Sequence, residues 1–149
     1  MTRYMTAGAA ALATTLALGT AALADTMPDL RGTWTGSYTT VQPSHYHKGD
    51  QPRINQAEWM LDVQVQDGNV FWGPSKWRRD GDTEWYENEA TGTISLDGSG
   101  KIGMVETAPL LIGANALIDA RYADGKIYAD FRSLRNGTTY STVLERQVN

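Results

Sequence analysis

Both histidines of the chain fall in one short run, His45-Tyr46-His47. In an extended segment residues two apart point the same way, so two imidazoles so spaced are able to reach one metal ion. Zinc needs two further ligands, and Asp50 is the only carboxylate nearby. The run therefore reads as a solvated or lid-forming loop, and no metal is expected. Zero cysteines exclude disulfides, thiol catalysis and thiolate metal sites. There is no G-x-S-x-G elbow, phosphate-binding glycine loop or H-E-x-x-H. Carboxylates are plentiful at Glu84, Glu87, Glu89, Glu106, Asp119 and Asp130, but most occupy alternate positions that face solvent in a strand. No catalytic residue and no cofactor is expected, and the chain reads as a non-enzyme.

Two other groups of side chains are candidates for binding. Lys48, Arg53, Lys76, Arg78, Arg79, Arg132 and Arg135 lie in or near one set of loops, where they favour a small anionic ligand or an acidic partner surface. Arg78 and Arg79 are adjacent, so in a strand they face opposite ways and only one points at a ligand. Aromatic side chains are the second group, with five Trp and seven Tyr. Large rings with a polar tip line ligand cavities, and they equally fill a solid barrel. The expected interior mixes Trp and Tyr with Ala90, Gly92, Ala116, Ala120 and Ala129, which leaves both a cavity and a filled core open.

The elements that must carry these side chains begin after residue 24. Residues 1–24 are an Ala- and Leu-rich run with one charge, Arg3, and a small-residue ending at Ala22-Leu23-Ala24. This predicts a secretory signal peptide cleaved after Ala24 rather than a membrane helix, with no membrane insertion afterwards. No cysteine follows, so a lipid anchor is excluded. Of 149 residues, 125 remain, enough for one domain with one core. Loss of Arg3 takes the 13 basic residues to 12 against 17 acidic, a net of −5, which argues against a nucleic-acid partner. The expected destination is the bacterial periplasm or the medium.

The mature chain alternates with period two in eight stretches. Leu30–Val41 places Trp34, Gly36 and Tyr38 on one face, the glycine leaving room for a neighbour's ring. Asn55–Gln66 places Ala57, Trp59, Leu61, Val63 and Val65 on one face. Val70–Trp72 begins a third strand that Gly73-Pro74 interrupts, with Pro74 placed at an edge or bulge. Thr83–Leu96, Lys101–Glu106, Asn115–Tyr122, Lys126–Ser133 and Thr138–Arg146 follow. The expected core is Trp34, Trp59, Leu61, Val63, Ile94, Ile118, Ile127, Phe131 and Leu144. A short helical turn has room only within 110–117. Asp67-Gly68, Asp97-Gly98 and Asp124-Gly125 supply the positive φ that tight hairpins need, and all three fall at the same end of a meander. The longer loops collect at the other end. The pattern predicts an eight-stranded antiparallel up-and-down β-barrel with a loop-rich mouth; a two-sheet sandwich is the alternative.

The stretch Gly32-Thr33-Trp34-Thr35-Gly36-Ser37-Tyr38 resembles the first strand of the calycin barrels, which include lipocalins, avidins and small bacterial protease inhibitors. The polar residue that avidins carry two after the Trp is Gly36 here, so biotin binding is not carried over. Lipocalins pair Gly-x-Trp with a late basic residue that closes the barrel floor, a part the resemblance gives to Arg146 against Trp34. The resemblance implies an architecture and no activity. The position of side chains at the loop-rich mouth gives the expectation of a small ligand, apolar or aromatic with an anionic group, held there by Tyr38, His45, Tyr46, His47, Arg53, Trp59, Arg78 and Tyr86. The alternative is a filled barrel that acts through its surface, as an inhibitor or interaction module of the bacterial envelope.

Overall fold

The computed structural model of the protein describes residues 27–46, 50–109 and 113–148. The leader expected over 1–24 lies outside them. Nine strands form, β1 (Gly32–Gln42), β2 (Arg53–Val63), β3 (Val65–Asp67), β4 (Val70–Arg79) and β5 (Tyr86–Ile94), then β6 (Lys101–Thr107), β7 (Ala116–Ala123), β8 (Lys126–Ser133) and β9 (Thr139–Arg146). All pairings are antiparallel between chain neighbours, and β9 returns to β1. β2 and β3 both pair with β4 and act as one broken strand, so the sheet closes as an eight-stranded up-and-down barrel. That closure removes the sandwich alternative. A single 3-10 turn, Ser44–Tyr46, sits in the β1–β2 loop, and there is no α-helix among the described residues.

All nine expected core residues are buried, because the inward positions of a closed barrel have nowhere else to go. Leu30, Phe71, Ile102 and Met104 join them. The glycine that accommodates a ring is Gly92 rather than Gly36. A Cβ on Gly92 would stand 2.3 Å from Phe71 Cζ, whereas one on Gly36 would meet the Val143 carbonyl oxygen at 2.4 Å.

β4 runs unbroken through Gly73-Pro74; the interruption falls on its partner. Leu61 pairs with Ser75, yet Val65 pairs with Trp72, so β2–β3 holds one residue more than the facing stretch of β4. This is a β-bulge, and it inverts which side chains face inward beyond it. Val65, expected on the inner face with Val63, is 54 % exposed. Gln66 takes the inward direction instead. Its Oε1 accepts from Leu30 N at 2.7 Å, and its Nε2 donates to Pro28 O at 2.9 Å.

Gln66 thereby ties the segment before β1 to the end of the barrel that bears the tight turns. There Trp34 Nε1 donates to Leu30 O at 2.7 Å, and Tyr122 meets the Trp34 ring edge-on at 6.2 Å. The Arg146 guanidinium lies 4.6 Å from the Trp34 ring centre and also donates to Asp29 O. Trp34 and Leu30 are completely buried, so this end is sealed. The β7–β8 hairpin turns through positive φ at both Asp124 (53°) and Gly125 (75°), as a type I′ turn requires.

Candidate functional site

The opposite end of the barrel carries a half-open pocket. A cavity of about 740 Å³ lies at the loop-rich end. Its wall is assembled by period two, each strand lending alternate side chains. β1 contributes Tyr38, Thr40 and Gln42; β2 contributes Asn55 and Ala57; β4 contributes Trp77 and Arg79. β5 adds Tyr86 and Asn88, β8 adds Phe131 and Ser133, and β9 adds Tyr140, with Thr138 just before it. Three of these rings form a column: Tyr140 stacks on Phe131 at 4.5 Å and on Tyr38 at 3.7 Å, with interplanar angles of 10° and 15°. Trp77 and Tyr86 form a second stacked pair at 4.3 Å. Arg79 lies 5.6 Å from the Trp77 ring and 6.0 Å from Tyr86.

Among the cavity's buried groups is one carboxylate, Glu106, 2 % exposed. Its Oε2 accepts from Ser75 Oγ at 2.6 Å, and that hydroxyl in turn accepts from Trp59 Nε1 at 2.8 Å. Its Oε1 accepts from Asn88 Nδ2 at 2.8 Å and Asn115 Nδ2 at 3.3 Å. Burial raises the Glu106 pKa above the ordinary carboxyl value, although the bonds from Ser75, Asn115 and Asn88 pull the other way. Burial, and then the nearby Glu106 charge, push the Tyr38 hydroxyl upward as well. Tyr140 is raised by burial first, with the Tyr38 and Glu106 charges adding to it.

Of the residues expected to bind, Tyr38 and Tyr86 line the cavity. Trp59 does not: it is fully buried below, where it meets the wall through Ser75, which bonds Glu106, and edge-on at the Tyr140 ring at 6.3 Å. Arg78 is on the outer face, ion-paired to Glu58 at 2.7 Å and stacked on Trp85 at 4.6 Å. Its neighbour Arg79 has the inward direction. Arg53 is exposed at the start of β2 and outside the cavity wall. His45 is exposed in the 3-10 turn, which also holds Tyr46; His47 lies outside the described residues. Lys76 and Arg132 are held outside by Glu87 at 2.6 Å and Asp119 at 2.8 Å, which leaves Arg79 and Arg135 as the described basic side chains on the cavity.

Glu106 is the residue that the sequence does not single out. Of the six carboxylates, most of them expected to face solvent, the other five are exposed. The signal was present in the alternation Ile102, Met104, Glu106, whose three members are all buried. Asn88 likewise continues the inward series Ala90, Gly92, Ile94. What no pattern discloses is that Ser75, Asn88 and Asn115, from three separate parts of the chain, converge on Glu106.

A buried carboxylate with a raised pKa is also what general acid–base chemistry uses. Here its hydrogen-bond partners are amides and a hydroxyl that accepts from an indole, with no histidine or second carboxylate among them. The arrangement holds a fixed acceptor beside a partly aromatic, partly amide-lined pocket. No family model matches the chain, and neither a curated protein nor a solved structure matches it.

Proposed function

We propose that this chain is an exported, non-catalytic, calycin-like barrel that binds a small aromatic-bodied ligand in the hollow of its mouth. The observation that carries the reading is the division of the interior. One half is packed by Trp34, Leu61, Ile94, Ile118, Ile127 and Leu144, while the other opens to solvent through a pocket of about 740 Å³ lined by five aromatic rings and several amides. Small-molecule sites span about 300–1,000 Å³ and combine rings with a few fixed polar groups. Tyr38 and Tyr86 supply ring surface, and Arg79 and Arg135 stand where an acidic group on the ligand would remain near solvent.

The test is a screen of bacterial lipids, aromatic acids and tetrapyrroles by thermal shift and tryptophan fluorescence, with Trp77 in the wall as the reporter. A ligand that stabilises the protein should bind about 2 kcal/mol or more less tightly to Tyr38→Ala if Tyr38 is an anchor. A screen with neither thermal shift nor fluorescence change refutes the reading and favours a module of the bacterial envelope that works through its outer surface.

A further inference from the structure

Glu106 gives the cavity a chemical polarity. A carboxylate offers about four lone-pair positions, and the donors from Ser75, Asn88 and Asn115 occupy three. None of the ion pairs among the described residues involves Glu106. The charge is thus hydrogen-bonded and held in place, but it is buried without a counter-charge, a costly state for a carboxylate. Beside it stand Tyr38 and Tyr140, which feel its charge. Both faces of Tyr140 are covered in the stack, so the rings at its two ends, Tyr38 and Phe131, are the ones that keep an outer face, whose negative potential attracts cations. The positive groups, Arg79 and Arg135, are both exposed, with Arg79 engaged on the Trp77 and Tyr86 faces. The buried charge at depth is therefore negative, while the rim carries Arg79 and Arg135 together with Glu87, whose carboxylate is paired with Lys76 at 2.6 Å.

Resting on the ligand-binding reading above, we infer that the cavity takes a flat ligand whose inward end is a cationic nitrogen head, such as an amidine, a guanidine or a protonated amine. That head sits against Glu106 and the Tyr38 ring, and any acidic group of the ligand stays outward at Arg79 and Arg135. The orientation is the reverse of one that buries an anionic head, because a second negative charge beside Glu106 would meet repulsion in a poorly solvated site.

Benzamidine, benzamide and benzoate test this directly. They share one ring and nearly one shape, and their heads are positive, neutral and negative. Each is titrated into the purified protein and followed by NMR at the Trp77 indole N–H and the Asn88 and Asn115 side-chain amides. Benzamidine should bind at least about tenfold more tightly than benzoate, with benzamide between, and Glu106→Gln should cut that preference to about twofold or less. The ranking is read on the unaltered protein, so it stands whether or not the variant folds. Benzoate binding as tightly as benzamidine, with shifts at the same residues, overturns the polarity and leaves ligand binding intact. Silence from all three also overturns the polarity, and ligand binding falls with it only if the wider screen is silent too.

Discussion

Gly73→Ala puts the bulge, and through it the site, to a direct test. A Cβ at Gly73 would lie 1.8 Å from the Asp62 carbonyl oxygen, 2.7 Å from the Asp62 carbonyl carbon and 3.0 Å from Val63 Cα. All three contacts are main chain, so no side-chain rotation relieves them. The strands must separate by more than an ångström, which also threatens the bond from Gln64 N to Trp72 O at 3.1 Å. Overpacking costs about 1–3 kcal/mol where side chains yield, and a lost ladder bond adds roughly 1 kcal/mol, so the expected loss is about 2–4 kcal/mol. Gly103→Ala is the control, since nothing lies within 4 Å of its Cβ position on the exposed side of β6. It should be neutral, or stabilise by roughly 0.5–1 kcal/mol, because glycine is a poor strand residue. Urea melts of both variants decide the matter, provided the m-value is unchanged. A Gly73→Ala protein within about 1 kcal/mol of the native one would refute the close approach of β2 and β4. Ser75 lies two residues on, so a surviving variant should also show a displaced Trp59 indole N–H resonance.

The raised pKa of Glu106 makes a signed prediction about pH. Below the ordinary carboxyl value of 4.5 the group is neutral in both states, and as pH rises towards the folded pKa it ionises first in the unfolded chain, so stability falls. Glu106→Gln lacks this loss and should gain on the native protein across that window; a pH-independent difference between the two in urea melts would contradict the burial argument. Asp29 and Asp97, lowered to about 2 by their partners Arg31 and Ser99, act in the opposite sense in both proteins and cancel in the comparison. Trp34→Ala and Leu61→Ala remove fully buried side chains and should cost roughly 2–5 kcal/mol each. Native-like stability of both in a denaturant melt would sink the inward register of β1 and β2.

What the linear chain determined is the part of the fold governed by local rules. Alternation over Trp34–Tyr38, Ala57–Val63 and Ala90–Ile94 names the inward faces, and the Asp-Gly pairs name the tight end, because strand period and turn conformation depend on near neighbours alone. Local rules also placed the interruption on the third strand at Gly73-Pro74, with Pro74 at an edge or bulge, and that strand runs unbroken. The extra residue sits on β2–β3, where only pairing with β4 reveals it, and its consequence is the exchange of Val65 for Gln66 on the inner face. The site belongs to the same class. Glu106 follows Ile102 and Met104 in plain alternation, yet whether such a carboxylate is buried depends on donors far away in sequence. Closure of the sheet brings Ser75, Asn88 and Asn115 to it, chooses Arg79 over Arg78 for the rim, and sinks Trp59 below the cavity. The choice between the adjacent arginines follows from which one faces inward, and the other outcomes are set by how far a side chain stands along the barrel axis. That height is a property of strand register around the whole ring, and no stretch of sequence holds it alone.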